Sequence, residues 1–462
     1  MVKKNNGDLT EVEGMSQPTL PMELPPVGEP AACAPTGRDQ ARICRAVRNQ
    51  VEMMARDLDS MVSEAHPVRA IWAFLEGMDL SAFYGSIKAA LDGPGRPASD
   101  PEVLLALWIY ATVEGIGSAR RLDTLCREHD AYRWLRGGVP VDYHILSDFR
   151  VAHREALDEL LTNIVATLEA QNLVTLKQVA QDGVRVRASA GGGSFRRQRG
   201  LEECLSRAEE QVRRLAEERE HSDPEVTRRE RVARERAAKE RLERVEKALR
   251  QLPEVQAVKE RHRRTRAKAE RGKITEARVS TTDPAARVMK MPDGGYRPAY
   301  NVQLATDVDS RVIVGVAVIN QGTDARQGEV MEAQVARRSG VHPEAYLVDG
   351  GYAQLETVSI MDGRGVSVYA PVQPPRSTAR GRDWTTPRKD DRPPVAKWRQ
   401  RMGTEDAKAI YKMRGATAEW SNAQVRGHGL LPFTVRGLDK VFGVALLVAI
   451  SHNILRVLSM GM

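Results

Sequence analysis

The spacing of apolar positions changes along the chain, and each change marks a different kind of structure. From about residue 99 the period is helical. Ser99-Asp100-Pro101 is a helix start with proline at the first helical position, where the missing N–H has no partner to lose. Leu104, Leu107, Trp108 and Ala111 follow at i, i+3, i+4 and i+7, predicting one apolar face. Gly115-Ile116-Gly117-Ser118 breaks that helix and offers Ser118 as the next cap, after which Leu122 and Leu125 resume the face. A later helix carries Leu157, Leu160, Leu161, Ile164 and Leu168. Arg120, Arg121, Arg127, Arg133, Arg136, Arg150 and Arg154 stud these helices. Short helices with tight glycine turns and outward arginines suit a helix-turn-helix-like DNA reader and a bundle with solvated charges about equally.

From about residue 172 the period becomes two. Val302 and Leu304 alternate with Gln303 and Ala305, and Val312–Ile319 is nearly continuous and β-branched, as a buried central strand should be. Tyr300–Thr306 and Arg311–Ile319 are expected to pair as an antiparallel hairpin around Asp307–Ser310. A helix over Gln327–Arg338, a strand ending at Asp349, another helix and a short strand Val366–Tyr369 follow. Strands and helices in this order resemble a ribonuclease H-like mixed α/β sheet.

Between these strands lies a third pattern, residues 196–280, dense in Arg, Glu and Lys. Leu205, Ala208, Val212 and Leu215 step by three and four, as do Ala238, Leu242, Val245, Leu249 and Leu252, with His221-Ser-Asp-Pro224 between the two runs. This predicts an inserted helical hairpin with a thin coiled-coil seam, either a dimerisation or DNA-tracking arm or simply two solvated helices. Residues 1–40, rich in Pro, Gly and small polar groups, read as a flexible tail, and the Pro- and Arg-rich stretch from Ala370 to Arg401 as an extended basic loop or linker.

Charge narrows the partners. Lys+Arg 70 against Asp+Glu 62 gives a net charge of +8, which favours a polyanion. The longest apolar run, Val441–Ile450, suits a buried helix rather than a membrane span, and the first residues lack the apolar core of a signal peptide. Cys33, Cys44, Cys126 and Cys204 are scattered, without zinc or disulfide spacing, so a reduced cytoplasmic setting with no membrane is expected. The histidines show no zinc-hydrolase spacing, and no Gly-x4-Gly-Lys-Ser/Thr run for a nucleotide cofactor occurs.

Three acids carry the candidate chemistry. Asp182 closes the run from Leu176 and precedes Gly183; Asp349 closes Ala345-Tyr-Leu-Val and precedes Gly350. Glu419 lies in a basic helix-forming segment after Tyr411 and Arg414. Strands ending in Asp-Gly lift a carboxylate to their carboxyl ends beside a backbone free to bend. Two such strands side by side, with a helix supplying the third acid, make an all-oxygen site suited to two Mg²⁺ ions about 4 Å apart acting on a phosphodiester. Asp293, Asp307, Asp309 and Asp324 read as turn or loop acids, while Asp390, Asp391, Glu405 and Asp406 compete with Glu419.

Several blocks, in order, carry a closer resemblance. Gly95-Arg-Pro-Ala-Ser-Asp-Pro-Glu-Val-Leu-Leu, Gly115-Ile-Gly-Ser-Ala-Arg-Arg-Leu, Tyr132-Arg-Trp-Leu-Arg-Gly-Gly and His144–His153 resemble the N-terminal domain of bacterial insertion-sequence transposases. Gln181-Asp182-Gly-Val-Arg-Val-Arg-Ala-Ser-Ala, Val348-Asp349-Gly-Gly-Tyr352 and Tyr411–Lys440 resemble the DDE domain of the same elements. The resemblance implies that Asp182, Asp349 and Glu419 are the catalytic, metal-binding triad. It maps the family's Tyr-x2-Arg-x3-Glu-x6-Lys signature onto Tyr411, Arg414, Glu419 and Arg426. Four residues rather than three separate Arg414 from Glu419, a turn of about 100° further round a helix, and Arg426 stands where lysine is usual.

It further implies a helical domain at 41–170 that binds terminal inverted repeats, with Arg120 and Arg121 among its contacts. The catalytic domain would comprise 171–195 and 281–462, using two Mg²⁺ or Mn²⁺ ions to cut DNA ends and join the 3′-hydroxyl to target DNA. The implied partners are DNA and a second copy of the chain, in the cytoplasm at the nucleoid. A metal-dependent nuclease without strand transfer, or a catalytically silent DNA-binding descendant, are the alternatives.

Overall fold

The computed structural model describes residues 55–85, 87, 97–220, 228–265, 276–373, 383–429 and 432–461. The 1–40 tail and positions 374–382 of the Pro- and Arg-rich stretch lie outside them.

Seven helices come first: α1 (Pro67–Glu76), α2 (Ser81–Tyr84), α3 (Pro101–Val113), α4 (Ala119–Glu128), α5 (Asp130–Arg136), α6 (Tyr143–Ala152) and α7 (Arg154–Ala170). Their starts follow the capping chemistry of the sequence. Asp100 accepts from the Glu102 amide at 3.0 Å to open α3, and Ser118 accepts from the Arg121 amide at 3.4 Å to open α4. The expected single apolar face of α3 is corrected by the structure: Val103, Leu105 and Ile109 fill the other faces, and the helix is buried all round. Arg150, expected on the outside, is also corrected. It is buried, donates to the Gly117 carbonyl at 2.6 Å and lies 4.3 Å from the Trp108 ring centroid, and burial pushes its pKa down to about 10.

The rest of the chain is a mixed α/β arrangement. Its strands are β1 (Gln178–Arg187), β2 (Phe195–Arg196), β3 (Val279–Ser280), β4 (Arg287–Lys290), β5 (Tyr296–Asp307), β6 (Ile313–Ile319), β7 (Ala345–Leu347) and β8 (Ser367–Tyr369). In the main sheet β5 runs antiparallel to β1, with β4 and β6 on its other edge; β7 runs parallel to β1 and β8 parallel to β7. The expected hairpin of β5 and β6 is present, with Asn301 opposite Ile319 and a bulge between Ala305 and Thr306. Asp307 caps its turn: the Ser310 amide and hydroxyl donate to its carboxylate at 2.9 and 2.7 Å.

Between β2 and β3 the chain makes the helical hairpin of α8 (Gln198–Glu220) and α9 (Arg228–Thr265), whose buried seam includes Leu201, Ala208, Ala238, Val245, Ala248 and Leu252. The remaining helices are α10 (Gln327–Ser339), α11 (Leu355–Gly363), α12 (Pro393–Met402), α13 (Glu405–Gly427) and α14 (Leu438–Ser459).

Helix α14 is long and apolar enough to cross a bilayer, but most of its apolar residues are buried in the protein, against β6, α3 and α7. Asn453 fastens it: the Ile313 amide donates to its side-chain oxygen at 2.8 Å, and its amide nitrogen donates to the Ile313 carbonyl at 2.9 Å. One continuous core therefore runs from α1 through the sheet to α14.

Candidate active site

Two strands and one helix position the candidate acids. The parallel ladder of β1 and β7 pairs Gln178 with Ala345, Val179 with Tyr346 and Ala180 with Leu347. Continued by two residues, this register brings Asp182 alongside Asp349, where β7 has ended and its chain turns at Asp349–Tyr352. Side chains alternate along a strand, so Asp182 shares the face of Ala180, which pairs with Leu347; Asp349 follows two residues beyond β7. That face packs against Ile410 of α13, so the helix bearing Tyr411, Arg414 and Glu419 lies across the two strand positions.

The structure corrects the reading of Asp182 as a strand end. Strand β1 runs on through Gly183 to Arg187, held by β5 along its whole length. Gly183 is needed for room rather than for a bend. A Cβ there would stand 2.5 Å from Gln303 Nε2, 2.6 Å from Asn301 Oδ1 and 2.9 Å from Asp324 Oδ1. These atoms belong to a polar network on the opposite face of the sheet. Asn301 and Gln303 both donate to Asp324, at 2.7 and 2.8 Å, Tyr352 and Gln181 donate to Gln303 Oε1 at 2.6 and 2.9 Å, and Tyr346 donates to Gln181 at 2.9 Å.

Asp182 is half-buried and held from α13. Arg414 Nη2 lies 3.0 Å from its Oδ1, and Asn422 Nδ2 donates to its Oδ2 at 3.0 Å. Burial pushes its carboxyl pKa up, the Arg414 guanidinium opposes that rise, and the charge of Asp324 adds to it. Burial likewise raises the Tyr411 hydroxyl, with Arg414 holding it down and Asp349 pushing it up, so Tyr411 stands within reach of the same charges.

Asp349 is exposed, with the Gly351 amide donating to it at 3.3 Å, and Glu419 is exposed one helical turn from Gly415. Among the described residues, no three His, Cys, Asp or Glu side chains stand together as a ready ligand shell for one ion. Arg426 is exposed near the end of α13; Arg120 and Arg121 are exposed on α4, with Arg120 5.2 Å from the Tyr143 ring centroid.

Three of the four rival acids lie in other settings. Asp391 is buried against Arg399 at 2.8 Å and accepts from the Arg388 amide, and Glu405 and Asp406 form the first turn of α13, roughly 20 Å along the helix from Glu419. Two residues escaped the sequence reading. Asn422 was legible in principle, since Tyr411, Ala418 and Asn422 fall on one helical face at i, i+7 and i+11. Asp324 was read as a loop acid, and nothing local in its sequence signals that its loop folds back over Gly183.

The helical region and α13 meet directly. Gly115 and Gly429, both at positive φ, pack so closely that a Cβ on Gly429 would stand 3.3 Å from Gly115 Cα, and Thr434 donates to the Gly117 carbonyl at 2.9 Å. Two transposase families match the chain in this order: the transposase domain DUF772 over residues 56–152 and the transposase DDE domain over residues 275–454. The chain belongs to the insertion-sequence DDE transposases. The first match contains Arg120 and Arg121 of this transposase, and the second contains Asp349, Tyr411, Arg414, Glu419 and Arg426. Asp182 precedes the second match, and its pairing with Leu304 of β5 and its contacts with Arg414 and Asn422 connect it to that part of the transposase. No curated protein and no solved structure matches the chain.

Proposed function

We propose that this transposase binds the ends of an insertion sequence, cuts a phosphodiester at each end and joins the freed 3′-hydroxyl to target DNA. Asp182, Asp349 and Glu419 are its acidic triad in this reading. The observation that supports it best is the register of β1 and β7, which, continued by two residues, aligns Asp182 with Asp349, with Ile410 of the helix bearing Glu419 packed against the same strands. The sheet supports a ribonuclease H-like reading: β6, β5 and β1 are antiparallel, and β7 and β8 extend them in parallel.

The donor set fits Mg²⁺ or Mn²⁺, because three carboxylates offer only hard oxygens and Asp182 already sits against a cation, the Arg414 guanidinium. Asp182 and Asp349 would hold one ion and Glu419 would complete the site of a second, together supplying activation of the attacking oxygen and charge stabilisation at the leaving one. Asn422 fixes the orientation of the Asp182 carboxylate. Arg414, which meets Asp182 through Nη2, carries further guanidinium N–H groups that could meet a phosphate, and Tyr411 and Arg426 extend that surface along α13.

Residues 41–170 would read the terminal inverted repeats through Arg120 and Arg121, and the glycine contact between α4's leading turn and the end of α13 would keep reader and cutter in fixed register. Residues 171–195 with 281–462 form the catalytic unit in this reading, and two ends cut together call for at least a dimer on DNA. The test is Mg²⁺-dependent cleavage and joining of a labelled element-end duplex, wild type beside Glu419→Ala. Cut and joined products from wild type alone are expected; cutting without joining would favour the nuclease, and binding without cutting the silent DNA-binding protein.

A further inference from the structure

Beyond Arg187 the catalytic strand's chain enters a run that the chemistry above leaves unused: Ser189, Gly191, Gly192, Gly193 and Ser194. Three consecutive glycines would ordinarily be explained by positive φ or by crowding. Neither holds here, since none has a positive φ and a Cβ on any of them would meet nothing within 4 Å. The turn is exposed and fixed from below: Ser194 Oγ lies 2.8 Å from Ser280 Oγ, and the Thr281 amide donates to the Ser194 carbonyl at 3.0 Å. A rigid, bare turn of this kind allows close approach of a large ligand's backbone.

Arg436 borders it directly, and Arg244, from a distant segment, stands within electrostatic reach of Arg436. Arg436 donates from Nε to the Ser189 carbonyl at 3.1 Å while its side chain remains exposed. Arg244 lies on the face of α9 turned to the body of the protein, two turns before Gln251, which accepts from Arg287 at 3.2 Å. Arg244 is only partly exposed, its Nε is buried with no hydrogen-bond partner, and Glu240 at 3.8 Å is too far to bond. Burial, then the neighbouring Arg436 guanidinium, push its pKa down. Glu240 and Glu243 oppose that fall while Arg241 adds to it, and an anion bound between Arg244 and Arg436 would relieve the repulsion that remains.

We propose that Arg244, Arg436 and the Gly191–Gly193 turn form a cleft for the phosphate backbone of the DNA engaged at the Asp182 end of β1. The cleft rests on the DNA-transposase reading and adds a second backbone contact to it. Seven residues of extended chain separate Asp182 from Ser189, roughly 23 Å, which spans about seven base pairs of duplex. The base of the inserted arm thus serves as a backbone clamp, independent of base sequence.

The test is fluorescence anisotropy of an end-labelled 40-base-pair duplex of arbitrary sequence, titrated with full-length protein between 50 and 300 mM NaCl. Each phosphate contact contributes a slope of about −0.9 in log K against log salt, so Arg244→Gln/Arg436→Gln should flatten it by nearly 2 and weaken binding about tenfold. Gly192→Asp, at a position with open space on a fixed turn, should weaken binding similarly, and Gly192→Ala should not. Wild-type slope and affinity in both the double variant and Gly192→Asp would overturn the cleft and leave the transposase reading standing. A wild type that binds no duplex would overturn both.

Discussion

Arg414 Nη2 and Asp182 Oδ1 meet at 3.0 Å between α13 and β1. Four residues separate Arg414 from Glu419, one more than the family's spacing, and on this helix the arginine faces the Asp182 carboxylate. Arg414→Gln leaves Asp182 half-buried without its countercharge. We expect at least a tenfold loss of DNA cleavage, part of it restored by Arg414→Lys, and destabilisation of about 1 kcal/mol, a fall of roughly 1–2 °C in thermal midpoint. An unchanged midpoint and rate would mean that the pair does no work.

Asp182→Asn, Asp349→Asn and Glu419→Gln keep side-chain size and remove one negative charge each. Cleavage of a labelled end should fall by at least a thousandfold in each, with binding of the same duplex within about threefold of wild type. Any of the three that still cuts leaves the triad.

Gly183→Ala is expected to cost about 2–3 kcal/mol, because the added methyl lands on Gln303, Asn301 and Asp324. Thermal unfolding checks this, with Gly192→Ala as the neutral comparison. A Gly183→Ala protein as stable as wild type would show that the Asp324 network can step aside.

Arg399 and Asp391 form an ion pair in which both side chains are only 5% exposed. Arg399→Leu strands the carboxylate, so a loss of about 3–5 kcal/mol is expected, and the double variant Arg399→Leu/Asp391→Leu should recover much of it. Equal stabilities of the single and double variants would refute the coupling.

His452 gives the protein an acid limit. Its Nε2–H donates to the Arg311 carbonyl at 3.0 Å, and burial, with His428 and Arg456 nearby, pushes its pKa down to about 4. The unfolded chain takes up this proton near pH 6.5 and the folded one near 4. Stability should therefore fall as pH drops through that window, by up to about 3 kcal/mol. The raised carboxyls of Asp283 and Asp307 act in the opposite sense, so the contribution is read as the difference between wild type and His452→Asn at pH 7.5 and pH 5. Parallel curves for the two proteins would show that the histidine carries none of it.

Local chemistry was legible in the sequence. Caps at Asp100 and Ser118, the β5–β6 hairpin and the helix from Gln327 follow from neighbours within a few residues. What could not be read depends on distant pairings. Gly183 looks like a hinge until β5, more than a hundred residues later, brings Gln303 and Asn301 against it. Arg150 looks solvated until Trp108 and Gly117 enclose it, and α3 looks one-sided until α14 covers its other side. Asp182 and Asp349 are visible as Asp-Gly pairs, but the alignment of their strands rests on a ladder of only three residue pairs between remote segments.

The helical arm also bears on how the molecule comes to exist. Strands β1 and β5 must find each other across about a hundred intervening residues, an entropically costly closure for any flexible chain. Helices α8 and α9 fold back on each other, and the β2–β3 ladder ties their base, so the chain leaves the arm close to where it entered. If the arm zips first, the loop still to be closed shrinks roughly fourfold, saving about 1 kcal/mol of closure entropy. A segment that seems to interrupt the catalytic sheet would then act as its assembly jig, completed on the ribosome before the second strand has emerged.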